Sequence, residues 1–179
     1  MVAYHDHEWG TPVHDDIELF ERLALESFQA GLSWSTILRK RPAFRTAFVG
    51  FDPRLVAAFD ATDRARLMAD VGIVRNRAKI DATIGNAAAF LAIRAAYGSF
   101  ATYLDEQVPG PSAFLPDDAV AADVPATTPA SDALSADLKR RGFKFVGSTI
   151  VYALMQSIGL VDDHLPGCFR YARRRVVTR

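Results

Sequence analysis

The sequence contains a single cysteine among its 179 residues, so the chain cannot form a disulfide within itself. No stretch approaches the roughly 18 uncharged apolar residues that a membrane-spanning helix requires. The first residues also lack the basic and apolar regions of a secretory signal peptide. We therefore expect a cytoplasmic protein.

Neither sign of charge is in excess, because 21 lysines and arginines balance 21 aspartates and glutamates. A nucleic-acid partner must therefore be attracted by a local basic surface and not by the net charge. Hydrophobic residues make up 50% of the chain and charged residues 23%, which excludes a disordered or fibrous protein. A mass of 19.6 kDa suits one domain or two small lobes.

Alternating strand patterns are nearly absent, whereas apolar residues recur at helical spacing from about Asp16 onward. The pattern predicts an all-α protein whose longest helix ends at Gly98. The prolines between Pro109 and Pro129 predict an extended crossover with little regular structure. Residues that commonly precede helices predict helix starts at Asp16, Ser33, Asp52, Thr62, Asn76 and Ser131. Pro42 is predicted to start or to kink a short helix.

A glycine-bounded hairpin, GFKFVG at residues 142–147, leads directly into a helix that starts at Ser148. Gly142 and Gly147 permit a tight turn, and the helix start offers free backbone N–H groups to a phosphate. The stretch alone also allows an ordinary hairpin between helices with a solvated basic edge. Positive charge surrounds the hairpin at Lys139, Arg140, Arg141 and Lys144.

Glu26 is a candidate catalytic carboxylate, because apolar residues precede and follow it. A carboxylate in a cleft of low dielectric is costly unless it has a function. Tyr4, Trp9 and Trp34 are near it in sequence, and aromatic faces can hold a nucleic-acid base between them. Periodicity alone also allows a glutamate on a solvent-facing helix surface and aromatic residues in the core.

His164 and Cys168 lie close together in sequence, and His5 and His7 lie near the other terminus. Imidazole and thiolate are ligands that zinc prefers, so these residues are candidates for a metal site that joins the two ends of the chain. A buried free cysteine with hydrogen-bonded histidines is the alternative.

Longer motifs extend over nearly the whole chain. They are AYHDHEWG at 3–10, LE at 25–26, QAGLSW at 29–34, GI at 72–73 with Arg75, KI at 79–80, TPASDALS at 128–135, KRRGFKFVG at 139–147, and DH at 163–164 with Cys168. Together these motifs strongly resemble the 3-methyladenine DNA glycosylase I family. The resemblance implies an all-α helix-hairpin-helix glycosylase fold with two small helical lobes and a cleft between them. We expect a single domain over 1–179, with the helix-hairpin-helix unit at about 131–160.

The same resemblance implies an enzyme that excises 3-methyladenine from double-stranded alkylated DNA and so starts base excision repair. We expect it to act as a monomer. Glu26, Tyr4 and Trp34 fall on base-pocket positions of the family; we assign the catalytic role to Glu26 and add Trp9 to the base-binding set. The resemblance assigns contact with the DNA backbone to the hairpin, where the candidates are Gly142, Lys144, Val146, Gly147 and Ser148.

By resemblance, His5, His164 and Cys168 match three of the family's four zinc ligands, which implies a structural zinc ion. The fourth is a cysteine upstream of the position of His5, and this sequence starts only four residues before His5 without such a residue. Water or His7 would complete the site. Asp162 stands where the family has asparagine, and an accessory role for it stays open because related glycosylases carry a catalytic aspartate nearby.

Two other functions are compatible with parts of the sequence. A non-catalytic helix-hairpin-helix module would keep the DNA-binding hairpin without needing Glu26 beside Trp34. An all-α metal-dependent phosphohydrolase would use the His-Asp pairs at 5–6 and 163–164, but it needs more ligands than the four histidines of this chain readily supply.

Overall fold

Helices form most of the computed structural model, which describes residues 1–109 and 113–171. Within these ranges the helices are α1 Val2–His7, α2 Asp16–Gln29, α3 Trp34–Ala47, α4 Pro53–Ala57, α5 Ala61–Ala69, α6 Arg77–Tyr97, α7 Phe100–Gln107, α8 Pro129–Arg140 and α9 Ser148–Ser157. Two short strands, β1 Ala113–Phe114 and β2 Val161–Asp162, pair in parallel. The predicted all-α class is confirmed. None of the described helices is long and apolar enough to cross a membrane.

Several helix boundaries follow directly from local capping residues. Ser33, Asp52 and Asn76 cap α3, α4 and α6 as predicted, and each side chain accepts a hydrogen bond from a backbone N–H of the first turn. Gly98 ends α6 with a φ of 86°, a conformation that glycine adopts without strain. The long central helix is therefore placed correctly by sequence.

The predicted start of α2 was wrong by one position. Asp15, not Asp16, caps the helix through Glu18. Asp16 instead accepts a hydrogen bond from the backbone N–H of Phe100 and pairs with Arg94, which ties α2 to α6 and α7. Two adjacent aspartates have equal capping preference, so tertiary contacts decide between them.

The starts of α5 and α8 also lie upstream of the predicted positions. Asp60 caps α5 and Asp63 closes a capping box, whereas Thr62 was the predicted start. Thr128 caps α8, and Ser131 returns the second hydrogen bond of that box. In both cases the predicted residue lies inside the first turn, where capping boxes place a second polar side chain.

Pro42 neither starts nor breaks a helix, because α3 continues through it. An internal proline costs about 3 kcal/mol, but the buried Ile37 and Phe44 anchor the helix in the core on both sides. The short α7 after Ser99 was not predicted. Part of the predicted crossover, positions 110–112, lies outside the described residues, as do 172–179, so the extent of the single domain stays a prediction.

Helix α2 passes through the centre of the molecule, and its residues Leu19 to Phe28 are all buried. It contacts α3, α6, α7 and α9, so this part of the helix has no solvent-facing side. Its first turn is open to solvent, where Ile17 is 41% exposed. Any polar residue in the middle of α2 is consequently held inside the protein.

A partly buried ion network joins the N-terminal segment to α2 and α3. Glu8 accepts hydrogen bonds from Arg22 at 2.9 Å and from Arg41 at 2.6 Å. Arg41 also donates to Glu21 at 2.6 Å, which in turn pairs with Arg45. Removing one partner of the buried Arg41–Glu21 pair would leave an uncompensated charge and typically costs about 3 to 5 kcal/mol. The network thus fixes the segment that carries Tyr4 and Trp9.

Candidate active site

A cavity of about 350 Å³ opens where α1, the end of α2, the start of α3 and α9 meet. This volume is typical of small-molecule sites. All four residues predicted for the base pocket, Tyr4, Trp9, Glu26 and Trp34, line it together with Met1, His5, Gln29, Ala153 and Gln156. Residues from both ends of the chain therefore form one site.

Glu26 lies at the wall of this cavity and is only 5% exposed. Its carboxyl group makes no hydrogen bond or ion pair with any residue in the described ranges. Burial raises the pKa of Glu26 to about 8, against the opposing charge of Arg22. In most molecules the Glu26 carboxyl group is therefore protonated and neutral at pH 7. A cation that enters the cavity would favour the ionised form of Glu26.

Arg22, one turn before Glu26, is a buried cation whose charge acts on both Glu26 and Tyr4. Its guanidinium carbon lies 5.4 Å from the centroid of the Tyr4 ring, and its Nη2 donates to Glu8 and Glu18. Burial raises the pKa of Tyr4 to about 12, so its phenol stays neutral. The sequence reasoning missed Arg22, because an arginine in an apolar helix carries no signal of the side that it faces.

Tyr4 and Trp34 form adjoining walls and not the two faces of a sandwich. Their ring centroids are 5.4 Å apart and their planes are tilted by 55°, which is the geometry of rings in direct contact. No base fits between them in this arrangement. Trp9 stacks beside His5 at 6.1 Å and meets His164 edge-on at 4.6 Å, so it links the cavity to the histidine cluster.

The turn that presents Trp34 is held by a buried lysine. Lys79 of α6 donates to the backbone carbonyls of Phe28 at 2.8 Å and Ala30 at 2.6 Å. These carbonyls end α2, where a cation also complements the helix dipole. Gly31 then turns the chain with a φ of 79°. Lys79 thus fixes the position of the α3 start.

The hairpin between α8 and α9 directs its carbonyl groups inward. Asn86 of α6 bonds both the N–H and the carbonyl of Lys144, at 2.8 and 2.9 Å. Ser27 donates to the carbonyl of Phe145 and Ser135 to that of Val146. Three buried side chains from other helices therefore hold the hairpin backbone in one conformation.

The backbone N–H groups of 145–150 make no hydrogen bond within the described residues. They form a donor-rich surface at the start of α9 that includes Gly147 and Ser148, beside the exposed Lys144. A Cβ atom at Gly147 would project into open space. Val146 is 1% exposed, so only its backbone can contact a ligand. Gly142 shapes the turn with a φ of 92°.

His5, His164 and Cys168 come together although they lie at opposite ends of the chain. One ligand atom of each lies within 4.8 Å of the other two, and His5 Nε2 is 3.6 Å from Cys168 Sγ. Bonds of about 2.0 to 2.3 Å from a zinc ion would place the ligand atoms of a tetrahedral site at separations similar to these. Two imidazoles and a thiolate thus suit zinc. His7 is exposed and lies outside this cluster, so of the two predicted completions, water or His7, the structure does not bring His7 to the other ligands.

Carboxylates orient both histidines of the cluster. Asp6 lies 2.8 Å from His5 Nδ1, and Asp162 lies 2.6 Å from His164 Nδ1. Carboxylate contacts of this kind fix the ring orientation of histidine ligands. Asp162 does not line the cavity, so its geometry favours this orienting role over an accessory catalytic one.

The chain also matches known proteins along most of its length. The model of the methyladenine glycosylase family matches residues 1–171. The chain belongs to this family. DNA-3-methyladenine glycosylase 1 of Escherichia coli (strain K12) is 48% identical over 170 residues, which cover 95% of this chain and 90% of the relative.

Two solved structures of methyladenine glycosylases superpose closely on this chain. A 3-methyladenine DNA glycosylase I from Staphylococcus aureus has a TM-score of 0.89 at 43% identity and covers 94% of this chain and 89% of its own. A tyrosine-to-phenylalanine variant of 3-methyladenine DNA glycosylase I, in complex with 3-methyladenine, has a TM-score of 0.89 at 42% identity, with 94% and 90% coverage. The family and the fold inferred from sequence motifs are confirmed.

Proposed function

We propose that this methyladenine glycosylase excises 3-methyladenine from alkylated double-stranded DNA. The observation that carries the proposal is the buried Glu26 carboxyl group, which has no partner in the described residues and lines a cavity walled by Tyr4 and Trp34. Relatives at high identity are DNA-3-methyladenine glycosylases, and one related structure holds the 3-methyladenine base.

The chemistry of the damaged base suits this cavity. Methylation at N3 gives the adenine ring a positive charge while it is bonded to deoxyribose, and the charge makes it a good leaving group. The enzyme must flip the nucleotide out, hold the cationic base and stabilise the sugar until water attacks. Undamaged adenine is neutral and has a stronger glycosidic bond.

Glu26 supplies the charge that distinguishes the damaged base. A cationic ring beside its carboxyl group lowers the pKa of Glu26 from about 8 and draws it into the ionised form. The carboxylate then accepts charge-assisted hydrogen bonds from the base edge, worth about 1.5 to 3 kcal/mol. The rings of Tyr4 and Trp34 add cation–π attraction of up to about 2 kcal/mol.

The hairpin holds the DNA independently of the base. Its free N–H groups at 145–150 suit phosphate oxygens, and Lys144 adds a positive charge beside them. Because Asn86, Ser27 and Ser135 fix the hairpin backbone, these donors are ordered before DNA binds. Contacts with phosphates carry no sequence preference, which suits an enzyme that must find damage anywhere.

A structural zinc ion is the second part of the proposal. His5, His164 and Cys168 would hold it, and when bound it would cross-link α1 to the segment after β2 without entering the reaction. The two segments have other links, since Arg170 donates to the Asp6 carbonyl and to Thr11. Zinc thus adds to an existing junction.

The test is to incubate the protein with methylated duplex DNA and to identify the released bases by mass spectrometry. We expect 3-methyladenine in the soluble fraction and none from undamaged DNA. Tight DNA binding without base release would instead support the non-catalytic module. Phosphate release with added divalent metal would support the phosphohydrolase, although Asp163 is already bonded to Tyr152 and Gln156.

A further inference from the structure

Gln156 of α9 is a cavity-lining residue whose side chain is fixed from behind. Its Nε2 donates to Asp163 Oδ2 at 2.7 Å, and the hydroxyl of Tyr152 donates to the same oxygen at 2.6 Å. Asp163 and Tyr152 are buried. The backbone carbonyl of Gln156 also accepts a hydrogen bond from the backbone N–H of Gly10. Both the backbone and the amide of Gln156 are thus restrained.

The chemistry of Asp163 determines which end of the amide faces it. The NH₂ end of Gln156 faces Asp163, because its Nε2 lies 2.7 Å from Asp163 Oδ2 and a carboxyl oxygen accepts this hydrogen bond. Burial and the neighbouring Asp163 raise the pKa of Tyr152, which keeps its hydroxyl protonated and donating. Gln156 Oε1 therefore points away from Asp163, and it has no hydrogen-bond partner in the part of the chain that the structure describes.

The damaged base has a matching group. While 3-methyladenine is bonded to the sugar, N3 carries the methyl group and N9 the glycosidic bond, so the exocyclic amine has the ring system's only N–H groups. That amine carries two hydrogens, and the acceptors among the cavity-lining side chains include the carboxyl group of Glu26 and the amide oxygens of Gln156 and Gln29. Only Gln156 has its amide fixed by a buried carboxyl group, since Gln29 Nε2 donates to the Leu32 carbonyl at an exposed position. A base with an oxygen at C6 would place an acceptor against an acceptor.

We propose that Gln156 is a specificity-determining residue that reads the 6-amino group of the flipped base through Oε1, with Asp163 as its positioning residue. The inference rests on the proposed function and adds a discrimination that charge alone does not supply. Cationic 3-methylguanine has the same charge but a 6-oxo group, so Glu26 and the aromatic walls do not separate it from 3-methyladenine by charge. The fixed acceptor Gln156 Oε1 separates the two bases, because it would face the 6-oxo group of 3-methylguanine and neither group could donate a hydrogen bond.

The test compares two free bases that differ at C6, 3-methyladenine and 3-methylhypoxanthine, by calorimetric titration. Wild-type protein should prefer 3-methyladenine, and Gln156→Leu should lower that preference by about fivefold to tenfold, which is the loss of one hydrogen bond. Asp163→Asn should lower it as well, because an amide at 163 no longer fixes which end of Gln156 faces the cavity. Tyr152→Phe keeps the bond between Asp163 and Gln156 and should leave the preference unchanged.

Melting temperatures of all variants show whether a substitution has destabilised the fold. If Gln156 had a purely structural role, its replacement would lower the affinity for both bases equally. An unchanged preference in a folded Gln156→Leu variant would overturn the inference. Release of 3-methyladenine from methylated DNA by the wild-type protein is measured in parallel. If that release is absent, the proposed function fails; if it is present while the preference ignores Gln156, only the inference fails.

Discussion

Replacing Glu26 by glutamine should stabilise the folded protein at neutral pH, although it removes a residue of the proposed site. The carboxyl group is buried without a partner in the described residues, and its pKa is raised from 4.5 to about 8. Folding therefore opposes ionisation of Glu26. Glutamine has nearly the same shape and never carries the charge, so it avoids this cost.

The size and the sign of the effect follow from linkage. One pKa unit corresponds to 1.36 kcal/mol, so a shift from 4.5 to about 8 costs wild type about 3 kcal/mol at pH 7 relative to an unshifted glutamate. Because the folded-state pKa is raised, the stability associated with protonated Glu26 is fully present below about pH 4.5. It is lost as the pH rises through about 8.

Urea unfolding of wild type and Glu26→Gln between pH 4 and pH 8.5 measures the difference directly. The two proteins should be almost equally stable at pH 4, and the variant should gain about 3 kcal/mol by pH 7. Glu106→Gln, at an exposed position of α7, is the matched control. Its free energy of unfolding should show no pH-dependent difference from that of wild type. A Glu26→Gln difference that does not change with pH would refute the argument that Glu26 is buried without compensation.

Three further outcomes separate the parts of the proposed enzyme. Lys144→Ala should weaken binding to undamaged and methylated duplexes alike, and it should reduce the slope of log binding constant against log salt concentration by about one unit. Gly147→Val should block the approach of a phosphate to the hairpin. Neither variant should change which base is released, and such a change would contradict the assignment. Trp34→Ala should keep duplex affinity while losing about 1 to 3 kcal/mol of base binding, measured by excision per bound complex. Elemental analysis should find zinc in wild type and less in Cys168→Ser, and chelation should lower the melting temperature before base release fails; metal-free wild type of unaltered stability would exclude the zinc site.

The parts of the site that sequence could predict depend on short, contiguous motifs. Glu26 lies in the motif LE at 25–26, Trp34 lies in the motif QAGLSW at 29–34, and the hairpin from Gly142 to Gly147 is a third. Local rules also placed Ser33 and Asn76 as helix caps, because a capping bond involves residues only a few positions apart. Such features need no knowledge of the rest of the fold.

The supporting residues could not be predicted because they act across large distances in sequence. Asn86 bonds Lys144 across 58 residues, and Lys79 bonds Phe28 across 51. A lysine or asparagine in a helix has no local pattern that reveals which backbone group it reaches. Gln156 carries no such signal either, since its significance comes from the cavity on one side and Asp163 on the other.

The central claim is that the buried carboxyl group of Glu26 holds the cationic base during excision. Single-turnover release of 3-methyladenine from one methylated duplex, measured for wild type and Glu26→Gln, tests it most directly. We predict that the variant binds the duplex normally but releases the base at least about tenfold more slowly, as expected from the loss of a contact worth 1.5 to 3 kcal/mol. Equal rates of release by the two proteins would contradict the claim.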